Sequence, residues 1–420
     1  MKFSKFANRF NSRSGIVQLM DDLGSALSGS NDILMLGGGN PGHIPEIQNY
    51  LHKRLQEILD DHAEFSHIIG DYDPPRGEQK FISALVDLLQ REYGWDIGPD
   101  NIALTAGSQA GFFYLFNMFG GDFGADTCKQ IMFPMTPEYI GYADVGLVDN
   151  LFTAYRPEIE ILDDHLFKYH INFNDLELSE NIGAMCVSRP TNPTGNVLTD
   201  DEISHLLEIA GHKKIPLIVD SAYGLPFPNI IFTDAKPFWT ENIIICMSLS
   251  KLGMPGVRTG IIIANPDVIS AITNMNAVLS LALGSFGPAL TTELISSGEV
   301  INLSNNVIKP FYQEKAKRAV ELFKTHLDGI EYYIHKPEGA IFLWLWFPGL
   351  PVTSEELYQR LKKKGVLVIS GHHFFPGLQE AWPHMHECIR VTYSMQPETV
   401  EQGIKLIADE IRQIYTELSS

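Results

Sequence analysis

The chain has 420 residues, 45% of them hydrophobic and 20% charged. At about 150 residues per domain this is a globular chain of two or three domains, which excludes disorder, collagen-like repeats and a small disulfide scaffold. Lys and Arg number 31 against 51 Asp and Glu, a formal charge of −20 that disfavours nucleic acid and anionic membranes as partners.

The basic N-terminal stretch, residues 1–14, is interrupted by polar residues and lacks the apolar run of a secretory signal. Short apolar runs predict strands at 102–105, 130–133, 184–187, 216–219, 243–247 and 260–264. Among them, Ile203, Leu206, Leu207 and Ala210 recur at helical spacing. That predicts a helix over 199–210, capped by Thr199 or Asp200, with Glu202 placed for a capping box. β-rich runs separated by helices indicate an α/β fold with a mostly parallel central sheet flanked by helices. The apolar stretch 277–290 is broken by Ser280, Gly284, Ser285 and Gly287, short of the ~18 residues of a membrane span. Beyond residue 300 the pattern predicts helix 309–326, strand 340–347, helix 354–364, strands 366–369 and 388–393, and helix 398–418, a smaller α+β domain. Lys362-Lys363-Lys364 reads as a solvated helix end. Cys128, Cys186, Cys246 and Cys388 form no CxxC pair, so neither a metal site nor a disulfide framework is expected. Cys186 and Cys246 lie in apolar runs and read as buried reduced thiols, fitting a cytoplasmic setting.

Four segments carry candidate chemistry. Lys251, in Ser248-Leu249-Ser250-Lys251-Leu252-Gly253-Met254-Pro255-Gly256-Val257-Arg258, directly follows a strand. A lysine projecting from a strand end into a site is open to desolvation, which favours the neutral amine that condenses with a carbonyl. Arg258 adds a cation suited to bidentate phosphate binding. Asp220 ends the apolar run Ile215-Pro216-Leu217-Ile218-Val219-Asp220, at the edge where open α/β sheets bind ligands, and Tyr223 follows it closely. In Pro190-Thr191-Asn192-Pro193-Thr194-Gly195, prolines and a glycine set an irregular loop able to aim the Asn192 amide. Ala106-Gly107-Ser108-Gln109-Ala110-Gly111 leads from strand to helix and leaves backbone N–H groups free to face a phosphate. Each alone also has an ordinary reading: a loop lysine, a capping acid, a proline turn, a Gly-Ser step.

In this order and spacing the segments resemble the fold type I pyridoxal-phosphate (PLP) aminotransferases, over nearly the whole chain. The phrases LGGGNPGHIP, PEYIGYADVG, SRPTNPTGNV, MSLSKLGMPG and IHKPEGAIFLWLW are similar to the branch that moves an amino group from valine to pyruvate. The resemblance implies an N-terminal arm at 1–48 that contributes to the small domain, a large PLP-binding domain at 49–298, and a C-terminal small domain at 299–420. Lys251 would hold PLP covalently and then shuttle the substrate proton, which needs an amine pKa far below ~10.4. Asp220 would pair with the pyridine nitrogen and keep the ring an electron sink. Asn192 and Tyr223 would bond the ring's 3′ oxygen, and Tyr139 would stack on its face.

Ser108, Gln109, Ser248 and Arg258 would hold the phosphate, and Tyr72 would reach the phosphate of a neighbouring subunit in a homodimer. Arg390 would clamp the substrate α-carboxylate through two parallel hydrogen bonds, with Asn192 and the Gly39 N–H beside it. Members often place the phosphate arginine eight residues after the lysine, whereas Arg258 is seven after Lys251. The implied reaction is two half-reactions on one site with ping-pong kinetics: valine leaves as 3-methyl-2-oxobutanoate, then pyruvate leaves as alanine. An aromatic or broad aliphatic aminotransferase, or a carbon–sulfur lyase of the same fold, would share Lys251, Asp220 and Arg390, and substrate profiling separates them. A ligand-sensing regulator on this fold would be expected to carry an extra DNA-binding segment, whereas here the matched glycine motif begins near residue 36 and a basic stripe is absent.

Overall fold

The computed structural model describes residues 1–10, 15–17, 20–21, 24, 33–124 and 126–418. An eight-stranded sheet runs in the order Ile102–Thr105, Gly260–Ile263, Ile243–Ser248, Leu217–Asp220, Ile182–Ser188, Cys128–Phe133 and Gly121–Asp122, with Phe152–Ala154 also paired to Cys128–Phe133. Ile243–Ser248, Leu217–Asp220, Ile182–Ser188, Cys128–Phe133 and Phe152–Ala154 are mutually parallel. Gly260–Ile263 runs against both of its neighbours. Its direction has a local cause: only the 3-10 turns Leu249–Leu252 and Pro255–Val257 precede it, and a parallel return needs a longer crossover.

Ile182–Ser188 and Ile243–Ser248 are buried at every position, as in a sheet covered on both faces. Alternate residues divide between the covers. Ala103, Ile218, Ile244 and Ile262 pack with Phe112, Phe116 and Ile272 of helices Ser108–Phe119 and Pro266–Ser280. Leu217, Val219, Ile245 and Ile263 join the core that includes Leu85 and Leu206 of helices Gln79–Tyr93 and Asp200–Lys213. The capping box forms as the sequence predicts: Thr199 Oγ1 accepts from Glu202 N at 3.1 Å, and Glu202 accepts from Thr199 N at 2.7 Å.

A second, six-stranded sheet runs Ile369–Ser370, Cys388–Thr392, Phe342–Trp346, Tyr333–His335, Leu166–Ile171 and Pro157–Ile161. Its last two strands form a hairpin from the middle of the chain, absent from the sequence-based pattern. The run expected as one strand at 366–369 is two: Val366–Leu367 pairs with Leu34–Met35, and Ile369–Ser370 with Cys388–Thr392. The first pairing ties the N-terminal segment to the last third of the chain. Lys362 to Lys364 are exposed at the end of helix Ser354–Lys363, and Cys186, Cys246 and Cys388 are free and buried. Among the described residues no helix is long and apolar enough to cross a membrane.

Candidate active site

Strand ends set the site. The loops after Cys128–Phe133, Ile182–Ser188, Leu217–Asp220 and Ile243–Ser248 leave one edge of the sheet, the position where open α/β sheets gather ligands. Because Gly260–Ile263 is reversed, its beginning lies at that same edge and brings Arg258 there. The result is a cavity of about 350 Å³ whose wall includes Gly39, Ser108, Gln109, Tyr139, Asn192, Asp220, Tyr223, Ser248, Lys251, Arg258 and Arg390. Of the residues singled out in the sequence, Tyr72 alone lies off this wall, 83% exposed.

Lys251 Nζ donates to the Gly39 carbonyl at 2.6 Å and lies 5.0 Å from the centre of the Tyr223 ring. Burial, the Arg390 charge and the Arg258 charge push its amine down to about 8, against the opposing pull of Asp220. The contact that Gly39 makes is thus through its carbonyl to the lysine. Asp220 closes its strand with Oδ2 accepting from the Tyr142 hydroxyl at 2.6 Å and Oδ1 from Ala222 N at 2.9 Å. Burial raises its carboxyl, and those two bonds and the Lys251 charge oppose the rise. The hydroxyls of Tyr139 and Tyr223 make no hydrogen bond among the described residues, which leaves both able to serve a ligand.

Arg390 is 2% exposed on an interior strand of the second sheet. Nη1 donates to Asn192 Oδ1 and Nη2 to the Gly37 carbonyl, each at 2.7 Å, while Nε has no partner among the described residues. The guanidinium stands 4.0 Å over the Phe342 ring. Burial lowers its pKa to about 10, so it remains a cation at neutral pH. A buried cation with only neutral partners is costly, and a carboxylate ligand would relieve that cost.

At the opposite end, Gly107 caps helix Ser108–Phe119 with φ 81°, and a Cβ there would lie 2.1 Å from Arg258 Nη2. Only glycine lets the guanidinium approach the helix start, where free N–H groups and the helix dipole favour an anion. Ser248 Oγ donates to Ser250 Oγ at 2.9 Å, and Ser250 also lines the cavity.

Several supporting residues escaped the sequence reading. Tyr142, Ser188 and Glu138 form a buried chain behind Asp220. Tyr142 recurs three residues after Tyr139, but nothing in one sequence marks it as a partner of Asp220. Lys168, from the unexpected hairpin, pairs with Glu338 and donates to Asn196 Oδ1 at 3.1 Å and the Val197 carbonyl at 3.2 Å. Arg189 donates to the Leu198 carbonyl at 2.7 Å and to Asp200 at 2.6 Å. These contacts hold the loop that presents Asn192. Lys168 between Phe167 and Tyr169 was the available signal.

Comparison with known proteins places the chain in a family. Over 417 residues the chain is 50% identical to a valine–pyruvate aminotransferase of Escherichia coli, covering 99% of this chain and 100% of that one. The crystal structure of valine–pyruvate aminotransferase from Salmonella typhimurium matches with a TM-score of 0.88 at 50% identity, over 96% of this chain and 100% of that chain. A kynurenine aminotransferase of Pyrococcus horikoshii, 21% identical, shares the fold with a TM-score of 0.79 over 98% of this chain and 97% of that chain. Residues 46–407 match the family described as aminotransferase class I and II. With a match of that extent and a lysine, a half-buried aspartate and a buried arginine facing one cavity, this chain belongs to the class I and II aminotransferases.

Proposed function

We propose that this protein is a PLP-dependent valine–pyruvate aminotransferase, interconverting L-valine and pyruvate with 3-methyl-2-oxobutanoate and L-alanine. The pairing, in one cavity, of a lysine amine depressed to about 8 with a buried arginine that no carboxylate neutralises among the described residues supports transamination of an amino acid. The 50% identity over 99% of the chain to the Escherichia coli enzyme carries the choice of valine and pyruvate. The residues present fit PLP by their chemistry. The cradle at Gly107, Ser108, Gln109, Ser248 and Arg258 suits its phosphate, Lys251 its aldehyde, Asp220 its ring nitrogen, Asn192 and Tyr223 its 3′ oxygen, and Tyr139 its ring face. When bound, PLP supplies an electron sink and stores the amino group between half-reactions.

The chain's own residues do the rest. Arg390 orients the amino acid by gripping its carboxylate in two parallel bonds, which fixes the α-carbon near Lys251. Lys251 Nζ, able to be neutral near pH 8, takes the α-proton and returns it on the other side of the exchange. Asp220 would face the ring nitrogen, and the bonds it accepts from Tyr142 and Ala222 favour its carboxylate form against the effect of burial. Per methylene an apolar pocket discriminates by only ~1–3 kcal/mol, so alanine and 2-aminobutyrate are expected to react as well.

The active unit in this reading is a cytoplasmic homodimer, with Tyr72 reaching the partner's phosphate site. Tyr72, Ile69, Val278, Leu279, Leu281 and Phe286 are exposed, and a hydrogen bond from Ser285 to Asp73 joins the two segments that carry them. An apolar surface of this kind favours association. Residues 49–298 act as the cofactor-binding domain and 299–420 with the 1–48 arm as the small domain, although the 157–171 hairpin lends its strands to the small sheet.

The test is a visible spectrum of the PLP-loaded protein before and after L-valine, then pyruvate. Valine should bleach the band of the lysine-bound cofactor and pyruvate should restore it. A band that ignores valine would remove the substrate assignment, and the absence of any band would remove the cofactor as well.

A further inference from the structure

We propose that Glu138 is a positioning residue: as a neutral carboxylic acid it heads a directed chain of hydroxyls, Ser188 then Tyr142, that ends on Asp220. This rests on the reading that Asp220 serves the cofactor ring.

Glu138 is 2% exposed, beside the cavity but off its wall. Its Oε1 accepts from Ser188 N at 2.9 Å, and its Oε2 is hydrogen-bonded to Ser188 Oγ. Ser188 Oγ lies 3.5 Å from the Tyr142 hydroxyl oxygen, and Tyr142 donates to Asp220 Oδ2 at 2.6 Å. Strand register sets Ser188 directly beside Asp220, so the chain folds back over a short span.

Counting protons gives the chain its direction. Tyr142 has one hydroxyl proton, and Asp220 takes it. If Glu138 is neutral, its proton sits on Oε2, because Oε1 already accepts from a backbone N–H. That proton goes to Ser188 Oγ, which frees the Ser188 proton to turn to the Tyr142 oxygen. Each hydroxyl then both accepts and donates, and successive bonds polarise one another towards Asp220. If Glu138 is ionised, Oε2 takes the Ser188 proton instead. Ser188 then has nothing to give Tyr142, and two carboxylates share one dry region.

The surroundings favour the neutral form. The titratable groups facing Glu138 are Asp220 from one strand, Cys186 from the next, and Tyr142 from the turn Ile140–Tyr142. None is a cation, and Glu138 makes no ion pair among the described residues. Burial raises its carboxyl to about 8, against the opposing hydrogen bonds from Ser188, and the nearby Asp220 charge adds to the rise. Burial and the Asp220 charge also raise the Cys186 thiol and the Tyr142 hydroxyl, which keeps both neutral.

Glu138→Gln copies the neutral acid at every pH: its carbonyl accepts from Ser188 N and its amide donates to Ser188 Oγ. Glu138→Ala removes the head of the chain, and Tyr142→Phe cuts it before Asp220. The readout is the affinity of the folded enzymes for pyridoxamine phosphate, a probe that needs no bond to Lys251, measured from pH 7 to pH 9. At pH 7, Glu138→Gln should bind within about threefold of wild type and Glu138→Ala about tenfold more weakly, the size of one lost hydrogen bond. In the Tyr142→Phe background, Glu138→Ala should cost less than about threefold further. Raising the pH to 9 should favour Glu138→Gln over wild type by at least about fivefold, as wild type alone acquires the second carboxylate charge. Comparing the two cancels the titration of Lys251.

A Glu138→Gln variant that binds the probe about tenfold or more weakly than wild type at pH 7 overturns the proposal, even if the alanine variant does not fold. So does an alanine loss that is undiminished by Tyr142→Phe. Failure of the underlying reading looks different: wild type would not bind the probe, or Asp220→Asn would bind it as tightly as wild type.

Discussion

Replacing Arg390 with lysine keeps a positive charge on the strand but removes the planar fork. In the wild type, Nη1 and Nη2 are aligned by Asn192 and Gly37, and the Phe342 ring 4.0 Å away fixes the plane. A lysine ammonium has no such plane and can offer a carboxylate only one directed bond in that space. Hydrogen bonds to charged groups contribute about 1.5–3 kcal/mol each. Losing one of the pair should therefore lower kcat/KM for L-valine by roughly ten- to a hundredfold. The control is 2-methylpropan-1-amine, which has valine's side chain and amine but no carboxylate. Stopped-flow rates of the first half-reaction with each amine give the answer. The valine rate constant should fall by about that factor while the amine control stays within about threefold. Equal losses for the two would mean that Arg390 acts on the cofactor or the fold. A valine loss below about fivefold would remove the clamp altogether.

Lys251→Met should abolish the visible band and lower transamination by at least about a thousandfold, since covalent attachment and proton transfer are both lost; near-normal turnover would sink the assignment. The cofactor-free protein adds a pH test. Its Lys251 pKa, about 8, is below that of an unfolded lysine, 10.5, so between those pH values the unfolded chain binds more protons. Wild-type stability should therefore rise relative to Lys251→Met from pH 8 towards 10.5, read by urea unfolding, and a flat difference would refute the depressed pKa. Gly107→Ala places a Cβ 2.1 Å from Arg258 Nη2 at a φ of 81°, so PLP affinity should drop by about tenfold or more, and unchanged affinity would move the phosphate elsewhere. Thr199→Ala should cost about 1 kcal/mol in urea unfolding with kcat unchanged, because the capping bond is at the surface and away from the cavity; no loss would mean that the box is not formed in solution.

The candidate site was legible in the sequence to the extent that its groups sit at strand ends. Asp220, Lys251 and Asn192 each follow an apolar run, and in a parallel sheet consecutive runs deliver their ends to one edge. Arg258 reached that edge for a different reason, a reversed strand, which the short turn-rich connection after Ser248 already encoded. Thr199 and Glu202 were readable because capping depends on residues three apart in the chain.

Partnerships across the fold were not readable. Tyr142 meets Asp220 across 78 positions and Lys168 meets Glu338 across 170, separations over which local spacing carries no information. The hairpin Pro157–Ile161 and Leu166–Ile171 alternates Ile, Glu, Tyr, Lys and His, so no apolar run announced it. Its place beside Tyr333–His335 depends on pairing with a strand laid down far later in the chain. Burial was equally hidden. Glu138 and Arg390 are charged residues that a sequence places at a surface by default, and only the packing of two sheets around them removes the water. That removal sets the lysine amine, the neutral glutamate and the arginine held by neutral groups, so residue types and strand ends came from the sequence, and the electrostatics of the site came from the tertiary structure.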